Sequence, residues 1–242
     1  MAYTSAKDIS SIFFDGLDVK QSNNAMTITN EAVMPKRRPF GSAYKGAYPT
    51  GQVDGEMTIS GWLDSVTVAQ LGDLTGDSKV ISVLFAGGTV SSRFLGFQAA
   101  YVTGAKTGIA DDDLDTYEPV ITANGCKANF GYVVAPLAAR TTDDDTDDAY
   151  CTMVETTGAS GIAFLHVSAI ALDGGTSVLF KIRDSADHIT FTDHTAFAAV
   201  TAVGAQTVAL ASEVKKYLSI SWEWTGGGGS QSVTAFVGVA ID

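Results

Sequence analysis

Between Asn24 and Trp62, two alternating runs bracket a stretch that can continue neither of them. Asn24 to Val33 (NAMTITNEAV) and Glu56 to Trp62 (EMTISGW) place apolar and polar side chains in turn, which is the period of a strand. Between them, Pro35, Pro39, Gly41, Gly46, Pro49, Gly51 and Gly55 work against regular structure, because proline removes a donor and glycine adds backbone freedom. Lys36, Arg37, Arg38 and Lys45 put four positive charges into this segment, with no acid before Asp54. Phe40, Tyr44 and Tyr48 add aromatic rings. A structureless connection of about 20 residues is uncommon in a compact domain and is generally functional or disordered. The rings predict that this one, over 34–52, docks on another surface.

The rest of the chain fits a β protein. Of 242 residues, 45% are apolar, only 17% are charged and 25 are glycine, which suits many strands and turns and excludes a disordered chain. The net charge of -12 argues against a broad basic face for nucleic acid. Cys126 and Cys151 do not make a disulfide framework in a chain of this length. Two reduced, partly buried thiols are expected, with a single bond as the alternative. Met1 to Ser10 has no apolar run after a basic head, and no stretch approaches the ~18–20 apolar residues of a membrane-spanning helix. A soluble subunit, made without a cleaved signal and without a membrane partner, is expected.

In chain order, Ile12-Phe13-Phe14 runs into an Asp15-Gly16 turn. Asp64 or Ser65 can cap a short helix over 65–73, with Val66, Ala69 and Leu71 inside it. Strands follow at 79–85, 91–102, 119–122 and 126–134, the last with Ala128, Phe130, Tyr132 and Val134 on one face. The polar, acidic run 143–149 reads as a linker, dividing the chain into domains 1–142 and 150–242. Beyond it, six alternating stretches (164–172, 177–184, 190–197, 206–210, 217–224, 232–241) predict a β-sandwich or jelly roll. In the fifth, Leu218, Ile220, Trp222 and Trp224 face one way and Ser219, Ser221 and Glu223 the other. Gly226 to Ser230 (GGGGS) reads as a flexible hairpin tip.

Chemistry-bearing motifs are sparse. Asp111, Asp113 and Asp115, and likewise Asp143, Asp145 and Asp147, open like a calcium loop. Position six is Thr116 or Asp148 where glycine belongs, and position twelve is Thr122 or Val154 where glutamate belongs. Solvated acidic loops are therefore expected, and no metal site or cofactor. His166, His188 and His194 have no ligand spacing, and His188 and His194 beside Asp187 and Asp193 read as a surface pair. No nucleophile elbow, phosphate loop or zinc-protease motif occurs, and nothing local activates either cysteine. No catalytic residue is assigned, and an enzyme is not expected.

The order of strand, long-loop hairpin, strand, short helix and further strands resembles the major tail protein, or tail tube protein, of long-tailed phages. The resemblance is carried by Phe13-Phe14-Asp15-Gly16-Leu17-Asp18, by Phe40-Gly41, and by Val53 to Asp64 (VDGEMTISGWLD). Ser177 to Phe191, Phe197 to Leu210 and Val214 to Trp222 are similar to the appended β domain of many such proteins. Here His188 stands where a glycine is usual, and Lys215-Lys216-Tyr217-Leu218-Ser219 lacks the usual arginines. The resemblance implies a mainly-β fold: a tail-tube-type sandwich or barrel with one short helix, plus a C-terminal β-sandwich of jelly-roll or immunoglobulin-like kind. It also implies hexameric rings stacked into a hollow tube in the virion tail, assembled in the host cytoplasm. DNA would pass through the lumen without specific binding, and the tape measure, tail terminator and distal tail proteins would be partners. Lys36, Arg37, Arg38, Phe40, Tyr44, Lys45 and Tyr48 would make the contact between rings.

Two other readings compete. A capsid decoration or baseplate ring protein would share the β domains without polymerising. A carbohydrate-binding module or adhesin would use Tyr217, Trp222 and Trp224 as a stacking platform, but their alternation with Leu218 and Ile220 favours a core role.

Overall fold

The computed structural model describes residues 9–19, 23–32, 36–37, 46–47, 53–62, 76–108, 116–123, 126–142, 151–152, 160–210 and 214–241. The expected helix at 65–73 and the expected linker at 143–149 lie outside them. The strands are β1 (Ile9–Phe14), β2 (Leu17–Asp18), β3 (Asn23–Ala32), β4 (Lys36–Arg37), β5 (Gly46–Ala47), β6 (Val53–Trp62), β7 (Lys79–Phe85), β8 (Arg93–Gly108) and β9 (Thr116–Ala123). They continue as β10 (Asn129–Arg140), β11 (Cys151–Thr152), β12 (Gly161–Ala171), β13 (Gly175–Ser185), β14 (Thr192–Ala196), β15 (Gly204–Leu210), β16 (Tyr217–Gly226) and β17 (Ser232–Ile241). The fold is mainly β, as the alternation predicts. Among the described residues the one helical turn is the 3-10 turn Ala86–Gly88.

The chain forms two compact units. The first comprises Met1–Gln21, Val80–Gly96 and Asn129–Asp242, the second Ser22–Lys79 and Phe97–Ala128.

In the first unit, strands in the order β15-β12-β17-β10-β8-β7-β1-β2 face a second sheet, β11-β16-β13-β14. Between the sheets lie Ala163, Leu165 and Val167 of β12 and Val233, Ala235, Val237 and Val239 of β17. They pack on Val178, Phe180 and Ile182 of β13 and Leu218, Ile220 and Trp224 of β16. β12 and β17 are covered on their other face too. Phe164 and Phe236 pack there against Phe13, Leu84 and Phe94, so the sheet curls over itself. That double burial is why both strands are apolar at nearly every position. The rings sit close because Gly96, Gly131 and Gly238 leave room: a Cβ on Gly96 would lie 2.7 Å from Phe164, and one on Gly131 2.5 Å from Phe94.

Two pairings depart from the expectations. β10, which precedes the expected linker, pairs with β17, from Tyr132↔Val239 to Arg140↔Val233. The GGGGS segment does not close a hairpin, since it leads from β16 in one sheet to β17 in the other. It is also tethered. Gly228 N–H donates to the Asp173 carbonyl at 3.0 Å, and Ser230 N–H to Asp173 Oδ2 at 3.2 Å.

In the second unit the order is β3-β6-β9-β8. Met57, Ile59, Phe97, Val102 and Ile121 form its buried face. Asn30 acts as a strand partner for Ala128: its Oδ1 accepts the Ala128 N–H at 2.9 Å and its Nδ2 donates to the Ala128 carbonyl at 3.4 Å.

Candidate functional site

The cationic insertion sits at the end of a long ladder. β3 and β6 pair from Asn23↔Gly61 to Ala32↔Val53, so the strand pair ends where the insertion begins. Within it Lys36 pairs with Ala47 and Arg37 with Gly46. At these four residues this corrects the expectation of a stretch without regular structure. The physical reason is placement: Pro35, Pro39 and Pro49 flank these four residues, and none of the four lacks an N–H. The structure thus brings Lys36 and Arg37 together on one short strand. Arg38, Phe40, Tyr44, Lys45 and Tyr48 lie outside the described residues, as do Asp111, Asp113, Asp115, Asp143, Asp145 and Asp147. Among the described residues, no group of three His, Cys, Asp or Glu side chains could hold a metal ion.

The histidines do three different things. His166 is fully buried on β12. Its Nε2 lies 2.9 Å from Ser82 Oγ, and its Nδ1 accepts the Gly16 N–H at 3.4 Å. Those partners fix the neutral tautomer with the proton on Nε2, and burial pushes its pKa down to about 3. Sealed from water, the Ser82–His166 pair cannot meet a substrate.

His188 and His194 are not the expected surface pair. His194 Nδ1 lies 3.1 Å from Asp184 Oδ2, while Lys215 Nζ bonds Asp184 Oδ1 at 2.8 Å and its N–H reaches Oδ2 at 3.2 Å. Burial pushes the Asp184 carboxyl up. The Lys215 hydrogen bonds, with the charges of Lys215 and His194, outweigh burial and hold it below the ordinary carboxylate value. His188 instead stands at φ 59 in the turn after β13, the position where the tail-protein resemblance has glycine. Asp187 organises that turn. Its Oδ1 accepts the N–H groups of Thr190 and Ile189, both at 3.0 Å, and the Ser185 hydroxyl at 2.8 Å. Those three bonds draw its pKa down to about 2.

The aromatic residues of β16 do not make a platform. Trp224 is buried in the sandwich core, and Trp222 packs against that core from its edge. The Arg140 guanidinium lies 5.0 Å from the Trp222 ring centroid, and Trp222 Nε1 donates to the Thr142 carbonyl at 2.6 Å. Tyr217 carries His188 edge-on at 5.3 Å. Both cysteines are free, and burial pushes the Cys151 thiol up, away from a reactive thiolate.

Sequence reasoning missed the Asp184 cluster, whose partners are ten and 31 residues away, and the buried His166. Neither has a local signature. The Asp15-Gly16 turn was visible as a turn, but its docking was not: Asp15 Oδ1 accepts the N–H of Ala205, 190 residues on, at 3.0 Å.

No protein-family model matches this chain, and no curated protein does. Among solved structures, it is similar to a chain of the virion of a native gene transfer agent particle, at 14% identity and a TM-score of 0.38, over 53% of this chain and 98% of that one. A chain of the tail of an empty gene transfer agent particle, refined with C6 symmetry, is similar at 12% identity and 0.38, over 53% and 98%. The Dit protein of phage SPP1, described as a hub adsorption apparatus of phages infecting Gram-positive hosts, is similar at 12% identity and 0.36, over 96% and 98%.

Proposed function

We propose that this chain is a structural virion protein, the subunit of a phage tail tube, which assembles as stacked hexameric rings. The observation that carries the reading is the β3–β6 hairpin with its insertion. A ten-residue antiparallel ladder ends in a segment with four cations and no acid, in a chain of net charge -12. Such an arm suits an acidic surface on the next copy, where charge complementarity steers association and aromatic side chains anchor it. Lys36, Arg37, Arg38, Phe40, Tyr44, Lys45 and Tyr48 are its contact residues.

A second observation supports ring closure. Among the described residues β3 has β6 as its partner in the second unit and lies at the end of the strand order β3-β6-β9-β8. Its sequence, NNAMTITNEA, contains no lysine and no proline; a register irregularity at Asn23/Ala25 and a single charge, Glu31 beside the insertion, leave the run Met26–Asn30 without a charge or proline to guard it. A neighbouring subunit in a closed ring protects such an edge by symmetry. The excess of acid suits a lumen through which DNA passes without sticking. The tape measure, tail terminator and distal tail proteins are the expected partners, in a tail assembled in the host cytoplasm. No catalytic step and no cofactor enters this account.

The test is charge reversal in the arm. Arg37→Glu with Arg38→Glu is expected to leave the circular dichroism spectrum and melting temperature unchanged and to abolish stacking in sedimentation velocity. Stacking that persists in the double variant would remove the arm from the interface.

A further inference from the structure

We propose that His166 is an acid-sensitive latch that holds the N-terminal β1–β2 turn against β12 and β15. The turn is seated closely. Gly16, at φ +91, has no space for a side chain, because a Cβ there would lie 2.4 Å from the Val167 carbonyl oxygen. Three hydrogen bonds hold the turn in place, from Gly16 N–H to His166 Nδ1, from Ala205 N–H to Asp15 Oδ1, and from Asp15 N–H to the Val80 carbonyl of β7 at 3.0 Å. On the far side of the imidazole, Nε2–H donates to Ser82 on β7. Phe13 and Phe236 cover the ring, at centroid distances of 5.4 and 6.0 Å.

This seat accepts only the neutral ring. A proton on Nδ1 would point at the Gly16 N–H, so the acceptor becomes a donor facing a donor. The resulting cation would stand among phenylalanines.

Ionisable groups on the neighbouring elements are committed elsewhere. Asp15 takes the Ala205 N–H, and Asp18 Oδ1 takes the Ile12 N–H at 3.3 Å. Lys79, at the start of β7, lies 3.9 Å from Asp77. Arg93 of β8 lies over the Tyr132 ring of β10 at 4.0 Å, and Arg140, at the end of β10, donates to the Ala138 and Ala235 carbonyls. β15 and β17 carry no ionisable side chain, and β12 carries none besides His166. Lifting the turn is therefore the local route by which the protonated ring gains water. The same movement frees Gly16 and Ala205 together.

Hydrogen exchange of the full chain, read by mass spectrometry from pH 7.5 to 5, tests this above the ordinary carboxylate range. After correction for intrinsic rates, peptides covering 12–19 and 204–208 are expected to exchange at least tenfold faster than core peptides covering 178–183 and 233–239. Their exchange should accelerate nearly tenfold per pH unit below about 6.5, since one proton is taken up on opening. His166→Asn keeps an acceptor and a donor and should remove that acceleration. Equal protection in all four peptides would mean that the turn opens only when the whole unit unfolds, which overturns the latch. So would an unchanged pH dependence in the variant. If His166→Asn does not fold, the wild-type comparison between turn and core peptides decides alone.

Discussion

Gly16 and Gly174 have similar backbone angles, φ +91 and +81, but different surroundings. A Cβ at Gly16 would strike the Val167 carbonyl, whereas one at Gly174 would meet nothing within 4 Å. Alanine at Gly174 should therefore add only left-handed strain, about 1–2 kcal/mol. Alanine at Gly16 adds overpacking to that strain and should destabilise by about 2–5 kcal/mol. Paired urea titrations of the two variants check the difference. His166 makes a second prediction at this scale. Its folded pKa of about 3 lies below the ordinary 6.5, so the unfolded chain takes up the proton first. Stability is thus intact above about pH 6.5 and falls between there and pH 3, by roughly 1.4 kcal/mol per pH unit. Urea midpoints at pH 7 and 5 should differ less for His166→Asn than for the wild-type chain.

Asp184 acts on whole elements. From β13 it joins His194 of β14 to Lys215, which leads into β16. Its side chain is 4% exposed while that of Lys215 is 42% exposed, so screening at the lysine reduces what the pair is worth. Asp184→Ala is expected to destabilise by about 2–3 kcal/mol, because it leaves the part-buried His194 ring and the Lys215 N–H without their acceptor, and thermal melts would read this. Since the Asp184 pKa is depressed, its contribution holds above the ordinary carboxylate value and is lost as the pH falls through the lower folded value. At this scale the sequence was legible where the signal was local. Lys79–Phe85 and Ser232–Ile241 are strands with the bounds expected from the sequence, the first a short apolar run closed by Gly87-Gly88 and the second by alternation. Which strands pair was not legible, because β10 with β17 is a long-range choice made by packing, and β12 and β17 hide both faces. For the arm, the charges and rings stand in the sequence. The pairing of Lys36–Arg37 with Gly46–Ala47 does not, because two-residue strands have no periodicity to read.

For the whole molecule, charge is the organising quantity. Twenty-seven acids against fifteen bases make copies of the chain repel one another, and under the proposed function the cationic arm offsets that repulsion. Stacking should accordingly weaken as salt is raised from about 0.05 to 1 M, because the screening length shrinks from more than 10 Å to about 3 Å. Sedimentation velocity across that range would show it. An assembly held only by apolar contact would strengthen or stay unchanged. The most direct measurement is negative-stain electron microscopy of the purified, concentrated chain, with light scattering on the same sample. The account predicts rings or hollow tubes built from them. A chain that remains monomeric at high concentration and binds a glycan, or decorates empty capsids, would contradict it.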